Sequence, residues 1–407
     1  MKKLLSVFVI VLLFVNTFCI FASAEEDEFE YLAQAAKGLE GTQINVFNWG
    51  EYISDGKDDT TDVNALFEEI TGIKINYTTY DTNEDMYTKL KNGGTSYDIV
   101  IPSDYMIARL INEGMLEEID FGNIPHYKNI LDEYKNLYFD PENKFSVPYN
   151  VGMIGVIYNK KYVSPEDVGS WDLMYNNKYK GNILQYNNPR DAFATAQFLL
   201  GIDINSTNTD DWDAAYSKLV EQKPLVQAYV ADEIFSKMES GEAFISSYYV
   251  GDYVLMSEVN PDLEFYFPKE GTNIFVDSIC IPKGASNKRG AELYIDFLLT
   301  ESVALANAEY LCYATPNKTV LENEDYSLRD NKYLYPDEAN KPRTTYYFNF
   351  KSDMLNMMAE KWNNLKLEGD SNLSTYIGIS SVIVISLGCF LYTKIKKRKR
   401  NKLYEDV

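Results

Sequence analysis

Apolar positions along this chain alternate between strand-like runs and helical stripes. Strand-like runs occur at residues 44–48, 73–77, 97–102, 153–158, 183–186, 243–249 and 265–268. Between and after these runs, apolar residues recur at helical spacing within 62–72, 83–93, 106–114, 189–200 and 287–299. The alternation predicts an α/β protein whose parallel sheet is covered by helices on both faces.

The first 24 residues have the pattern of a secretory signal peptide. Lys2 and Lys3 precede an apolar run from Leu4 to Phe21, and small residues at 22–24 are suited to cleavage. We expect residues 1–24 to be this signal peptide, with cleavage after Ala24. The length of the apolar run leaves an uncleaved anchor as the alternative.

The C-terminal end has the pattern of a membrane anchor. Residues 375–393 carry no charge, and at about 1.5 Å per residue they span roughly 29 Å, close to the hydrocarbon thickness of a bilayer. A cluster of lysines and arginines follows, and such clusters stay in the cytoplasm. The sequence therefore predicts a single transmembrane helix at 374–393, a cytoplasmic basic tail at 394–407, and an outward-facing body at 25–370, either extracellular or periplasmic.

Composition excludes several classes of function. The formal net charge is −23, so the chain repels nucleic acid. A single histidine, His126, cannot build a histidine metal cluster, and we find neither a nucleophile motif nor a phosphate-binding glycine loop. We predict no cofactor, no metal and no catalysis. Cys280 and Cys312 are left as either a disulfide or two buried thiols.

Acidic residues set among aromatic rings are the candidate chemistry. Glu51 lies between Trp49 and Tyr52, where the first strand gives way to a loop, and ligands bind at such sheet edges in α/β proteins. Asp277 follows Phe275, and Asp191 opens a helix. An organic cation with a methylene chain needs carboxylates for its ammonium groups and flat rings for its chain. A surface hydrolase using Asp191 and Asp277 as an acid/base pair is the alternative from another class.

Several stretches, in order, resemble one protein family from Val46 to Pro316. They are Phe-Asn-Trp-Gly-Glu-Tyr (47–52), Ala-Leu-Phe-Glu-Glu-Ile-Thr-Gly-Ile-Lys (65–74), Tyr-Asp-Ile-Val-Ile-Pro-Ser-Asp-Tyr (97–105), Ser-Val-Pro-Tyr-Asn-Val-Gly (146–152), Phe-Pro-Lys-Glu-Gly (267–271), Phe-Val-Asp-Ser-Ile-Cys-Ile-Pro (275–282) and Tyr-Ala-Thr-Pro-Asn (313–317). In these stretches the chain resembles the periplasmic spermidine/putrescine-binding proteins of polyamine ABC importers.

The resemblance implies a two-lobed, periplasmic-binding-protein-like fold with the ligand in the cleft between α/β lobes. We expect lobe 1 to comprise 42–152 with 276–321, and lobe 2 to comprise 153–275 with 322–366. The implied function is an extracytoplasmic solute-binding subunit that captures spermidine or putrescine and delivers it to ABC permease subunits. The same fold binding another small cation, an amino acid or an oligosaccharide is the alternative.

The resemblance also implies ligand-binding residues, carried over position by position. Those that would flank the polyamine chain are Trp49, Tyr52, Tyr249, Phe275 and Tyr313, with Tyr249 and Phe275 standing where the family has tryptophans. Those that would hold ammonium groups are Glu51, Asp191 and Asp277, and polar contacts would come from Ser103 and Tyr105. Asn188 stands where the family usually has an aspartate, which leaves the preferred polyamine open. A family glutamine has no secure counterpart within 344–349.

Overall fold

The computed structural model describes residues 29–93 and 96–367. The predicted signal peptide at 1–24, transmembrane helix at 374–393 and basic tail at 394–407 lie outside these residues. Among the described residues, no helix is both long enough and apolar enough to cross a membrane.

Strands and helices alternate along most of the described chain. The strands are β1 (Gln43–Trp49), β2 (Lys74–Tyr80), β3 (Ile99–Val100), β4 (Ser146–Asn159), β5 (Ile183–Tyr186), β6 (Val226–Val230), β7 (Ile245–Tyr249), β8 (Leu263–Tyr266), β9 (Thr272–Cys280) and β10 (Thr344–Thr345). The helices are α1 (29–35), α2 (Val63–Thr71), α3 (Asn83–Asn92), α4 (Asp104–Asn112), α5 (Pro189–Leu200), α6 (Thr209–Gln222), α7 (Glu233–Glu239), α8 (Val250–Val259), α9 (Lys288–Leu298), α10 (Glu301–Leu311), α11 (Lys318–Glu322) and α12 (Ser352–Leu367).

Short 3₁₀ turns connect many of these elements. They span Lys57–Asp59, Phe121–Asn123, Pro125–Asn129, Asp132–Tyr134, Pro165–Asp167, Trp171–Tyr175, Asn177–Tyr179 and Lys223–Leu225.

The strands form one mixed sheet in the order β2-β1-β3-β9-β4-β7-β5-β6, with β10 beside β9 and β8 beside β4. A first parallel group consists of β1, β2 and β3, and a second consists of β5, β6 and β7. The long strands β4 and β9 join the two groups through antiparallel pairing with each other. The α/β class is confirmed, but the expectation of a purely parallel sheet is wrong. The two joining strands run antiparallel to their neighbours in both groups.

Strand β4 belongs to both parts of the sheet. Its residues 146–153 pair with β9, and its residues 154–158 pair with β7. All but one of its fourteen residues are buried, so the strand shows no polar face. A strand buried on both faces lacks the alternation that marks a half-exposed strand. The sequence therefore predicted only its second part, 153–158.

Local capping explains where two of the helices begin. The side chain of Asp62 accepts a hydrogen bond from the backbone N of Ala65 at 2.9 Å and so caps α2. Asn188 caps α5 in the same way through the backbone N of Arg190, and Pro189 occupies the first helical position. The strand at 183–186 and the helix at 189–200 begin and end where the sequence predicted them to.

Aromatic packing joins helices to one another beside both strand groups. Phe67 of α2 contacts Tyr294 and Phe297 of α9, with ring centroids 5.0 and 5.2 Å apart. In the second group, Trp212 of α6 lies 5.1 Å from Phe193 of α5 and 5.6 Å from Phe350, which precedes α12. Buried rings of this kind contribute large apolar areas to each core.

Cys280 and Cys312 are both buried free thiols. Cys280 lies in β9, and Cys312 ends α10. The sequence left open whether these two cysteines form a disulfide, and in the structure they do not.

The carboxylate of Asp140 anchors the start of β4. It accepts hydrogen bonds from the backbone N atoms of Lys144, Phe145 and Ser146, at 2.9, 2.8 and 3.0 Å, and from the Ser146 hydroxyl at 2.8 Å. Asp140 is only 3% exposed, so water cannot replace these bonds.

We predict that Asp140→Ala lowers the free energy of unfolding by roughly 2–4 kcal/mol, because it removes four hydrogen bonds and leaves the buried backbone N–H and hydroxyl of Ser146 without their partner. Denaturant unfolding followed by fluorescence measures the change. Glu142→Ala, in the same turn but 71% exposed at its side chain, is the control and should change that free energy by less than about 0.5 kcal/mol. Equal effects of the two substitutions would contradict the anchoring role.

Candidate ligand-binding site

Tyr52 and Asp277 form a hydrogen-bonded pair at the junction of β1 and β9. The Tyr52 hydroxyl donates to Asp277 Oδ2 at 2.7 Å. Asp277 is 4% exposed, and its Oδ1 has no hydrogen-bond partner among the described residues. Ser103 lies opposite Asp277 in an isolated β-bridge, just before α4. One carboxylate oxygen of Asp277 is therefore buried without such a partner, beside an oxygen that a tyrosine hydroxyl holds.

A row of aromatic rings leads from this pair towards the second strand group. The rings of Tyr52 and Tyr313 meet edge to face at 5.8 Å, and Tyr313 lies 6.3 Å from Phe275. Phe275 in turn meets Tyr249 at 5.3 Å, again edge to face. Phe275 and Asp277 share a face of β9, because side chains alternate along a strand. The structure therefore brings together four of the predicted rings.

Asp191 lies at the other end of the row, in the first turn of α5. Its carboxylate accepts hydrogen bonds from the Tyr249 hydroxyl at 3.1 Å and from the Tyr347 hydroxyl at 3.0 Å. Asp191 is 5% exposed. Tyr347 was not predicted, although it falls within 344–349, where the sequence offered no counterpart for the family glutamine.

Ser103 and Tyr105 close the circle of contacts on the remaining side. The Asn83 side-chain amide donates to both hydroxyl groups at 3.1 Å. The ring of Tyr105 meets that of Tyr347 edge to face at 6.4 Å. The predicted polar contacts therefore lie on the same contact path as the two acids.

Arg190 is a buried cation beside this circle. Its guanidinium group lies 4.5 Å from the ring centroid of Tyr105, 4.6 Å from that of Tyr347 and 4.4 Å from that of Phe350. It also donates to the carbonyl oxygen of Phe348. Cation–π contacts of this kind stabilise a buried guanidinium group.

Asp252, in the first turn of α8, is a further acid that the sequence reasoning missed. Its Oδ2 accepts a hydrogen bond from the Tyr313 hydroxyl at 3.0 Å. Asp252 stands among tyrosines directly after β7, so the criterion applied to Glu51 and Asp277, an acid among rings at a strand end, also fits it. Applying that criterion to every strand end would have found it.

Trp49, Glu51 and Asn188 lie outside the row of rings and its hydrogen bonds. Trp49 donates its indole N–H to the Ile101 carbonyl oxygen at 2.9 Å and packs on Tyr80. The Glu51 side chain is 85% exposed, with Lys57 at 4.0 Å, and its backbone has a positive φ of 48°. Asn188 caps α5. Their ligand contacts stay predictions.

Burial raises the pKa of each of the three acids in the circle. It raises the pKa of Asp191 and of Asp277 to about 6 and that of Asp252 to about 7, although tyrosine hydroxyl donors oppose the rise. Burial and the adjacent carboxylates raise the pKa values of Tyr52 and Tyr313 well above the usual tyrosine value. These hydroxyl groups therefore remain donors at neutral pH.

The arrangement suits an organic cation. Three carboxylates of reduced solvation lie along a wall of rings, and a bound ammonium group would pair with them in place of the hydration that burial removes. Among residues 29–93 and 96–367, no group of three or more histidine, cysteine, aspartate or glutamate side chains is placed to hold a metal ion.

Comparison with known proteins yields a family match. The model of the family described as bacterial extracellular solute-binding protein matches residues 64–333. A spermidine/putrescine-binding periplasmic protein of Salmonella typhimurium is 34% identical over 304 residues, which cover 74% of this chain and 86% of the relative. The putrescine-binding periplasmic protein PotF of Escherichia coli is 30% identical over 312 residues, covering 72% and 83%.

A solved structure also matches. The spermidine/putrescine ABC transporter substrate-binding protein PotD of Streptococcus pneumoniae superposes with a TM-score of 0.68 at 34% identity, covering 80% of this chain and 99% of that one. These matches confirm the resemblance and the periplasmic-binding-protein-like fold. A solute-binding family also confirms the interpretation of a binding protein rather than an enzyme.

We predict that Asp252→Asn stabilises the unliganded protein at pH 8 by roughly 1–3 kcal/mol but not at pH 4. The folded state raises the pKa of Asp252 from 3.8 to about 7, so it binds the proton more tightly than the unfolded chain does. The stability that this proton contributes is present at low pH and is lost as the pH rises through about 7. Thermal unfolding between pH 4 and pH 8 measures the difference.

Asp172→Asn is the matched control, since Asp172 is exposed in the Trp171–Tyr175 turn. It should leave the pH profile of the unfolding temperature unchanged. A stabilisation by Asp252→Asn that is the same at every pH would contradict the assignment.

Proposed function

Because the chain belongs to the bacterial extracellular solute-binding protein family, we propose that it captures a polyamine, putrescine or spermidine, for an ABC importer. The observation that carries the proposal is the continuous path of rings and acids from Asp277 through Tyr313 and Phe275 to Asp191. Relatives with 30–34% identity are named for binding spermidine and putrescine.

In this proposal, buried carboxylates hold the ammonium groups, and rings flank the methylene chain. Asp277 offers an oxygen without a partner among the described residues, and Asp252 and Asp191 supply further negative charge. Charge-assisted hydrogen bonds contribute about 1.5–3 kcal/mol each, and cation–π contacts about 0.5–2 kcal/mol. Two or three such bonds together with the rings supply the roughly 8 kcal/mol of a micromolar site.

We propose that the cleft lies between the two lobes expected from the sequence. Lobe 1 comprises 42–152 and 276–321, and lobe 2 comprises 153–275 and 322–366. The first strand group then belongs to lobe 1 and the second to lobe 2, and the chain crosses between them along β4 and β9. Contacts between the lobes include the hydrogen bond from Tyr313 to Asp252. Closure of the lobes would bury the ligand.

Lobe closure would precede delivery to permease subunits, and the relatives are named as periplasmic proteins. We propose that residues 1–24 direct this chain out of the cytoplasm and that a helix at 374–393 ties it to the membrane, with the basic tail inside. In this proposal the chain therefore interacts with the lipid bilayer through that helix and with the permease through its body. A tethered receptor stays near its permease instead of diffusing away.

Another small cation, an amino acid or an oligosaccharide remains the alternative ligand, motivated by Asn188 and by the absence of tryptophan at positions 249 and 275. The hydrolase alternative is not favoured. Its two candidate carboxylates, Asp191 and Asp277, are each engaged by tyrosine hydroxyls, and the family binds solutes.

We expect the full-length protein, purified in mild detergent, to release or absorb heat when titrated with putrescine or spermidine. Asp277→Asn should weaken binding by a factor of about ten or more, because a charge-assisted hydrogen bond worth roughly 1.5–3 kcal/mol is lost. Isothermal titration calorimetry measures both effects. The exposed Asp172→Asn is again the control and should bind as the wild type does.

No heat with either polyamine would overturn the polyamine assignment. Stabilisation by an amino acid or an oligosaccharide in a thermal-shift screen would then support the alternative.

The anchoring proposal has its own test. Full-length protein expressed in a bacterium should stay in the membrane fraction after carbonate extraction, because the apolar segment spans the bilayer. A variant that ends at Asn372 should be released into the aqueous fraction. Recovery of the full-length chain in the carbonate supernatant would contradict a membrane-spanning anchor.

A further inference from the structure

Two glycines lie directly beneath rings of the candidate site. Gly152 in β4 stands opposite Phe275 of β9 in the antiparallel register. An ideal Cβ atom added at Gly152 would lie 2.1 Å from Phe275 Cζ, 2.7 Å from Cε1 and 2.8 Å from Cε2. The outer edge of the phenyl ring therefore covers the Cα atom of Gly152.

The second glycine is Gly251, in the first turn of α8. A Cβ atom there would lie 2.6 Å from Tyr313 Cδ2, 2.7 Å from Cε2 and 2.9 Å from Cγ. The ring of Tyr313 thus packs on the start of α8. Its hydroxyl donates a hydrogen bond to Asp252, the residue that follows Gly251 in the same helix.

Backbone conformation does not explain either glycine. Neither Gly152 nor Gly251 has a positive φ, so other residues adopt the same backbone without strain. Gly251 is in a helix, where alanine is the more favourable residue. The close approach of a ring is what these two positions require.

The two rings are also neighbours, with centroids 6.3 Å apart, although their glycines belong to a strand and a helix. Phe275 carries the contact onward to Tyr249, and Tyr313 carries it to Tyr52. Displacing either ring therefore disturbs the centre of the row that links Asp277 to Asp191.

We propose that Gly152 and Gly251 are positioning residues that set the width of the ligand slot, an inference that rests on the proposed function. Each glycine lets one ring lie closer to the backbone than a side chain would allow, and in the proposed function the methylene chain packs on the opposite face of that ring. A methyl group at Gly152 would push Phe275 Cζ from 2.1 Å to ordinary contact at about 3.5 Å, a shift of more than 1 Å. At Gly251 the shift is smaller, because the closest ring atom starts at 2.6 Å.

Gly155→Ala provides a matched control in the same strand. A Cβ atom there would lie 2.2 Å from Phe265 Cζ and 2.7 Å from the backbone oxygen of Tyr266, so the steric conflict is at least as severe as at Gly152. Phe265 packs on Tyr253, Phe267 and Tyr333, which lie outside the ring-and-acid path. The control therefore reproduces the conflict without moving a ring of the candidate site.

The test is calorimetric titration of the full-length protein with putrescine and with spermidine. We expect Gly152→Ala to weaken binding at least tenfold and Gly251→Ala at least threefold, in keeping with the smaller displacement. Gly155→Ala should bind within twofold of wild type. Thermal unfolding and circular dichroism of each variant establish that the protein titrated is folded.

A double-mutant cycle separates slot width from general damage. In a Phe275→Ala background there is no ring for the new methyl group to push, so adding Gly152→Ala should change affinity by less than twofold. Gly251→Ala serves as the second variant if Gly152→Ala does not fold, and Tyr313→Ala is its corresponding background.

The outcomes distinguish this inference from the function on which it rests. A wild-type protein that binds neither polyamine defeats the proposed function. If the wild type binds and the glycine variants bind equally well, the positioning role alone is defeated. The same holds if the glycine variants lose affinity even in the backgrounds that lack the ring.

Discussion

The antiparallel pairing of β4 with β9 is the interaction on which the rest of the structure depends. It joins two groups of parallel strands into one sheet, and it places Asp277 opposite Asn150 and Phe275 opposite Gly152. Since side chains alternate along a strand, Phe275 and Asp277 emerge on the same face, two residues apart. The strands that connect the two halves of the molecule therefore also carry the centre of the candidate site.

Placing a carboxylate on such a strand has an electrostatic cost. Burial raises the pKa values of Asp277 and Asp191 to about 6, and that of Asp252 to about 7, so the unliganded site holds its negative charge with difficulty at neutral pH. Hydroxyl groups from Tyr52, Tyr249 and Tyr313 offset part of that cost by donating hydrogen bonds. In the proposed function, a bound ammonium group would offset more of it by pairing with these carboxylates.

Sequence reasoning succeeded where the signal was local. Asn188, Pro189 and the apolar residues after them predicted the bounds of α5, because capping and helical spacing act over a few residues. It failed for the first half of β4, whose buried faces carry no alternation, and for α6 and α12, whose apolar stripes went unrecognised. Within the candidate site, the sequence named four of the rings and two of the acids, but not Tyr347 or Asp252. It also named Glu51, whose side chain is exposed and whose backbone has a positive φ just after β1, and its ligand contact stays a prediction.

Tyrosine at positions 249 and 313 meets two physical demands at once. A tyrosine supplies a flat apolar face for a methylene chain and a hydroxyl for a buried carboxylate, and Tyr313 does both by packing on Gly251 and donating to Asp252. Tyr249 likewise combines a ring contact with Phe275 and a hydrogen bond to Asp191. A tryptophan at 249 would offer a larger apolar face, but its indole N–H would lie in a different place from the tyrosine hydroxyl. Asp191 would then depend more on the hydrogen bond from Tyr347. Tyrosine at these two positions therefore combines ring packing and a hydrogen bond to a carboxylate in one side chain.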